Sequence, residues 1–61
     1  MDIPEKYLKL KNEGEDSQGI AMSLIIDGYG KLRVIAVLRG LFGLSLVAAN
    51  EVYEITSKKI K

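Results

Sequence analysis

The side chains that could perform chemistry in this 61-residue chain are hydroxyls and carboxylates, because it contains no histidine and no cysteine. Histidine is the commonest general base and the commonest metal ligand, and the cysteine thiolate is a strong nucleophile. The hydroxyl candidates are Ser17, Ser23, Ser45, Thr56, Ser57 and the three tyrosines. None of them stands beside a suitable base. We therefore predict that the protein is not an enzyme and has no catalytic residue and no cofactor.

Two short segments resemble ligand-binding loops but lack their essential residues. The acidic segment 12–16, NEGED, does not have the spaced oxygen ligands and final glutamate of a calcium loop. Gly28-Tyr29-Gly30 lacks the third glycine and the Gly-Lys-Ser/Thr ending of a phosphate loop. We interpret the first segment as a solvated loop and the second as a turn, and we predict no metal site.

Charge and hydropathy describe a small globular domain with two oppositely charged halves. Residues 1–18 contain three lysines and five acids, residues 31–61 contain six basic residues and two acids, and the net charge is +1. The apolar run 32–49 is interrupted by Arg33 and Arg39, which are costly inside a bilayer. The polar residues 1–10 do not resemble a signal peptide. We expect one domain over residues 1–61, no membrane association and a cytoplasmic location.

The first half of the chain is predicted to be mostly extended. Residues 2–13 fit a helix capped by Asp2 or a strand with alternating residues 8–11, and we favour the strand slightly. Residues 12–19 are predicted to form a linker or hairpin loop. Residues 20–27 alternate as a strand, and residues 28–30 form the turn that ends it.

The second half predicts two helices. Residues 31–42 repeat apolar side chains at the helical spacing, and Gly43 suits a helix C-terminus. Ser45 can cap a second helix over residues 46–61. The residues predicted to be buried are Val34, Val37, Leu38 and Leu41 in the first helix and Leu46, Ala49, Val52, Tyr53 and Thr56 in the second. The predicted fold class is α+β, with order β-β-α-α: residues 1–19 form an N-terminal segment and loop, and residues 20–61 form a strand-helix-helix core.

Residues 22–54 resemble the first half of the C-terminal domain of the bacterial ribosomal stalk protein, the L-seven/L-twelve family. The matching residues are Lys31, Leu32, Val34, Ile35, Leu38 and Arg39 in the first helix, Gly43, Leu44 and Leu46 in the link, and Ala49, Val52 and Glu54 in the second helix. The resemblance implies a truncated stalk-protein domain. The rest of that domain, its dimerisation domain and its linker have no counterpart here, so we expect a homodimer.

In this family the two helices recruit translation GTPases, and the resemblance implies a non-catalytic protein-interaction module that contacts the translation or transcription machinery. The implied partner-binding residues are Lys31, Leu32, Ile35, Ala36, Arg39 and Asn50. Three basic positions of the family are replaced here, by Ala36, Val47 and Asn50. For Leu32 and Ile35, a role in the core or in a homodimer contact fits the sequence as well as a role in binding a partner.

The alternative function is a small DNA- or RNA-binding helical hairpin. The feature that favours nucleic-acid binding is a set of basic residues on the two predicted helices: Lys31, Arg33, Arg39, Lys58, Lys59 and Lys61. The low net charge and the acidic N-terminal segment argue against it, because nucleic-acid binding depends on cationic surface. Protein binding is therefore the preferred hypothesis.

Overall fold

The computed structural model describes residues 3–60, which form four α-helices and contain no β-strand. The helices are α1 (Glu5–Asn12), α2 (Ser17–Ile26), α3 (Lys31–Phe42) and α4 (Leu46–Ile60). The predicted α+β class and the β-β-α-α order are therefore wrong. The resemblance to the stalk-protein domain implied a strand where the chain forms α2.

Helix α1 replaces the N-terminal strand that we slightly favoured. It begins after Pro4, which occupies the N-cap position with φ −55°, and it has Glu5 in its first turn and Lys9 and Lys11 in its last. This order of charges suits the helix dipole, with the acid at the positive end and the bases at the negative end. The alternating Leu8–Lys11 pattern was too short to decide between strand and helix. The predicted Asp2 cap lies outside the described residues.

Helix α2 replaces the predicted strand 20–27 and begins inside the predicted loop 12–19. The Asp16 carboxylate caps it by accepting a hydrogen bond from the Gly19 backbone N–H at 2.8 Å. Gly28 follows it with φ +96°, a left-handed conformation common after helix ends. The segment is apolar nearly all round, so it has no clear periodicity. Such a run fits a buried helix as well as a strand.

The helical hairpin of α3 and α4 confirms the prediction for the second half. Gly43 ends α3 in the left-handed conformation, at φ +67°, and its N–H donates to the Arg39 carbonyl at 2.9 Å. Ser45 caps α4, since its hydroxyl oxygen accepts a hydrogen bond from the Ala48 N–H at 3.1 Å. The α3–α4 link is thus specified locally by a glycine and a capping serine.

The core lies where α2 and α3 pack against α4, and α1 covers one side through a single fully buried side chain. The buried apolar residues are Tyr7, Ile20, Ala21, Leu24, Val34, Ile35, Val37, Leu38, Leu41 and Ala49. All four predicted core residues of α3 are in this set. In α4, Ala49 and Thr56 are buried and Val52 and Tyr53 are half-buried, but Leu46 is 58% exposed, which corrects its predicted burial.

Candidate protein-binding surface

The outward side of α3 contains three of the six predicted partner-binding residues. Leu32, Ala36 and Arg39 are spaced four and three positions apart, so they lie along one helix face. Leu32 is 84% exposed, Ala36 is half-buried and Arg39 is exposed. The opposite side of α3 supplies the core. Folding therefore leaves an apolar side chain, a small residue and a cation in one row.

A shallow cleft continues this row toward the end of α3. It has a volume of about 360 Å³ and is lined by Ala36, Arg39, Gly40, Gly43 and Leu44; we call it the α3 groove. Ala36, Gly40 and Gly43 have small or no side chains, so they leave space for this cleft on the helix surface. Among residues 3–60, Arg39 makes no ion pair, so its guanidinium is available to a carboxylate.

Lys31 and Asn50 do not belong to the α3 groove. The Lys31 ammonium pairs with the Glu54 carboxylate at 3.2 Å and lies 5.8 Å from the centre of the Tyr53 ring. It therefore joins the start of α3 to α4. Asn50 is half-buried on α4, one turn before Glu54. The six predicted partner-binding residues therefore do not form one site. Lys31 and Asn50 lie near the contact between α3 and α4, outside the α3 groove.

Ile35 is a core residue. It is only 6% exposed, whereas Leu32, one turn earlier, is almost fully exposed. The sequence placed both on one stripe and left open whether they were core or interface. The structure gives a different answer for each, because α3 rotates Ile35 toward the other helices and Leu32 toward solvent.

A second cluster joins α1 to the turn after α2, and the sequence analysis did not identify it. The Tyr7 hydroxyl donates a hydrogen bond to Asp27 Oδ2, and the Lys6 ammonium pairs with the same oxygen at 2.6 Å. The rings of Tyr7 and Tyr29 meet edge to face with centroids 5.9 Å apart. The Arg33 guanidinium lies 6.0 Å from the centre of the Tyr29 ring. One carboxylate thus holds two side chains of α1.

The electrostatics of this cluster favour a neutral Tyr7 and an ionised Asp27. Burial, followed by the hydrogen bond to the Asp27 carboxylate, raises the pKa of Tyr7 well above its usual value of 10.0. The hydrogen bonds from Lys6 and Tyr7 lower the pKa of Asp27 below its usual value of 3.8. No local motif could reveal this pair, because its members are 20 positions apart.

The cluster borders a cleft of about 400 Å³, whose lining is Pro4, Lys6, Tyr7, Asp27, Gly28 and Tyr29. Its charged groups satisfy one another, and Tyr7 is only 1% exposed. Within residues 3–60 there is no group of three or more carboxylates that could hold a metal ion. The geometry therefore fits a structural contact better than a ligand site.

Residues 3–60 thus form a small all-helical structure in which Leu32, Ala36 and Arg39 lie along the outward face of α3, beside the α3 groove. Comparison of the chain with known protein families, with curated proteins and with solved structures found no match. The resemblance to the ribosomal stalk protein therefore stays a prediction. In the described part of the chain, no helix has both the length and the apolar character needed to cross a membrane.

Proposed function

We propose that this chain is a non-catalytic protein-interaction module that binds its partner through the outward face of α3 and the α3 groove. The observation that carries the proposal is the 84% exposure of Leu32 in line with Ala36 and Arg39. A single exposed leucine is ordinary on a protein surface. An exposed leucine in line with a groove and an arginine fits a binding surface better than a leucine alone. The combination offers a partner both apolar contact area and a directional charged contact.

Two further apolar side chains are exposed at the start of α4, next in sequence to the link that supplies Leu44 to the groove. Leu46 is 58% exposed and Val47 is 69% exposed, and both follow directly after the α3–α4 link that contains Leu44. Exposed apolar residues that cluster, with polar residues around them, often mark protein-binding sites. Arg39 would add a two-pronged hydrogen bond to a partner carboxylate.

The partner class that the stalk resemblance implies is a component of the translation or transcription machinery, and this remains part of the proposal. The test is affinity capture from a cell extract followed by binding of the purified candidate to wild type, to the double variant Leu32→Ser/Arg39→Ala and to Ile55→Ser. Ile55 is a matched control, since it is 46% exposed and does not line the groove. We expect the double variant to lose about tenfold or more in affinity.

Equal binding by all three proteins would contradict the proposal. Circular dichroism should show unchanged helix content in both variants, because none of the three residues is in the core. A partner lost only in the double variant supports binding through α3.

Self-association is a separate part of the proposal. The stalk-protein resemblance implies a dimer, and the described helices enclose a core within one chain. Sedimentation equilibrium at micromolar concentration decides this point. A mass of about twice the 6.7 kDa of one chain supports a dimer, and a single mass of 6.7 kDa contradicts it.

The alternative of nucleic-acid binding has no specific structural support. Of the basic residues of α3, Lys31 pairs with Glu54 and Arg33 lies against the Tyr29 ring. Retention on DNA or RNA that weakens steeply with salt would favour this alternative, because phosphate contacts release counterions.

A further inference from the structure

Helix α3 carries positive charge that the rest of the described chain neutralises only in part. Residues 28–50 contain three basic residues, Lys31, Arg33 and Arg39, and no aspartate or glutamate. The ion pairs formed within residues 3–60 include only one of these three cations, Lys31, which pairs with Glu54. In the described part of the chain, the guanidiniums of Arg33 and Arg39 therefore have no carboxylate partner.

The two arginines lie on either side of Ala36, the central residue of the outward row. Each is three positions from Ala36, one before it and one after it, so the helix turns them about 60° to opposite sides of that residue. They are six residues, or about 9 Å, apart along the helix axis. Both are exposed. A segment that lies on this row would thus meet a cation on each side.

The two guanidiniums differ in their present contacts. Arg39 lines the α3 groove and is free to form a bidentate contact with a carboxylate. The Arg33 guanidinium lies 6.0 Å from the centre of the Tyr29 ring, a contact that supplies no carboxylate to its N–H groups. Arg39 is therefore the main candidate for pairing with a partner acid, and Arg33 is a secondary one.

The surface between the arginines is apolar, and this restricts the kind of ligand that fits it. Leu32 is almost fully exposed, and the small residues Ala36 and Gly40 line the groove beside it. A simple anion would leave Leu32 uncovered, and a nucleic-acid backbone offers it no aliphatic side chain. A purely apolar segment would cover the guanidinium of Arg39 without pairing it, which is costly.

We propose that the α3 groove binds an acidic protein segment that presents a large apolar side chain together with carboxylates. Leu32 contacts the apolar side chain, and Arg39 binds a carboxylate about 10 Å further along the helix, because the two residues are seven positions apart. This inference rests on the proposed function, since it names the chemistry of the partner for the same surface.

The test selects peptides without assuming their sequence. A displayed library of randomised peptides of about 16 residues, which span about 24 Å as a helix, is selected on the full chain. Counter-selection on Leu32→Ser/Arg39→Glu removes peptides that bind elsewhere. We expect the enriched peptides to have a net negative charge and more aliphatic residues than the starting library. Enrichment without an acidic excess would overturn the proposal, and so would failure to enrich any peptide.

Fluorescence anisotropy with an enriched peptide then locates the charged contact. We expect Arg39→Glu to weaken binding about tenfold or more, and Lys58→Glu to weaken it less than about twofold. Lys58 is the matched control, because it is exposed in the last turn of α4, makes no ion pair within residues 3–60, and its reversal changes the net charge equally. Equal losses in the two variants would contradict a contact at Arg39.

Charge reversal on the peptide completes the test. A peptide with lysine in place of its acidic residues should bind Arg39→Glu more tightly than wild type. If circular dichroism shows that Arg39→Glu is unfolded, Arg39→Gln, which removes the charge with a smaller change, replaces it in the affinity comparison. Loss of affinity for the acidic peptide in that variant supports the contact, and unchanged affinity contradicts it.

Failure of this inference is distinguishable from failure of the proposed function. The binding test with Leu32→Ser/Arg39→Ala judges the proposed function, whatever the charge of the partner. A captured partner that requires these residues but contacts them through a segment without carboxylates would uphold the proposed function and overturn the acidic segment. A wild-type dimer that Arg39→Glu dissociates would also overturn it, because a second copy of the chain would then occupy this face.

Discussion

The Tyr7 hydroxyl donates a hydrogen bond to the Asp27 carboxylate, and together with the Lys6–Asp27 ion pair and the Tyr7–Tyr29 ring contact it connects α1 to the turn after α2. Tyr7 is 1% exposed, and among residues 3–60 the Asp27 carboxylate is the side-chain partner of its hydroxyl. A buried donor that loses its partner keeps its desolvation cost. The position of α1 therefore depends on a neutral Tyr7 and an ionised Asp27.

Replacing Tyr7 by phenylalanine should destabilise the protein by about 1.5–3 kcal/mol, the usual value of a hydrogen bond to a charged group. The ring and its packing against Tyr29 remain, so the loss reports the hydroxyl. Urea unfolding followed by circular dichroism measures the change. Tyr53→Phe is the control, since Tyr53 makes no side-chain hydrogen bond within residues 3–60, and its stability should match wild type. Equal stabilities of the two variants would contradict the contact.

Alkaline pH should destabilise the protein through Tyr7. The pKa of Tyr7 is raised in the folded state, so above its ordinary value of 10.0 the unfolded chain loses the proton first. The free energy of unfolding then falls by up to about 1.4 kcal/mol per pH unit. Urea unfolding between pH 9 and 11.5 should show a steeper decline for wild type than for Tyr7→Phe. Parallel curves would mean that burial does not hold the Tyr7 proton.

Acid pH should weaken the same contact through Asp27. The pKa of Asp27 is lowered by Lys6 and Tyr7 in the folded state, so its contribution is complete above the ordinary value of 3.8 and is lost as pH falls through the folded value. The stability advantage of wild type over Asp27→Asn should therefore be constant at neutral pH and shrink below pH 3.8. Denaturant titrations from pH 7 to pH 2 test this, and an advantage that is undiminished at pH 2 would rule out the ionised carboxylate as its source.

Thr56→Val should stabilise the protein. Thr56 is 1% exposed, and its hydroxyl oxygen has no hydrogen-bond partner among the described residues. Valine has nearly the same shape without the unsatisfied group, so we expect a gain of about 1 kcal/mol, or a rise in Tm of about 4–8 °C. Thr56→Ser, which keeps the hydroxyl and removes a buried methyl group, should lower Tm. A fall in Tm in Thr56→Val would indicate that the hydroxyl is satisfied in solution.

Gly40→Ala should show a coupling to Ile3. Alanine favours the helix by about 1 kcal/mol over glycine, but its methyl group would lie 2.8 Å from Ile3 Cδ1 and must displace it. In the Ile3→Ala background this collision is absent, so the same substitution should stabilise the protein more. A double-mutant cycle by chemical unfolding measures the difference. Simple additivity of the two changes would show that Ile3 does not pack on Gly40 in solution.

The sequence predicted the helical hairpin because its signals are local. The apolar spacing of Val34, Val37 and Leu41 has the period of a helix, and Gly43 and Ser45 mark its end and the next beginning. The prediction failed for α2 because apolar residues lie on several sides of this segment, which leaves its helical period weak. The Asp16 cap and Gly28 were signals for a helix that outweigh the alternation of Met22, Leu24 and Ile26.

Periodicity placed Leu32, Ile35 and Arg39 on one stripe of α3, and Ala36 joined the candidate site through the stalk-protein resemblance alone. It could not separate Leu32 from Ile35, because burial depends on how α3 is rotated against α2 and α4. It also could not pair Tyr7 with Asp27, since a contact across 20 residues has no local signature. The sequence by itself thus determined the hairpin and its caps, which depend on neighbouring residues. Only the tertiary structure decided which apolar residues stay exposed and which carboxylate anchors α1, because packing between distant segments sets both.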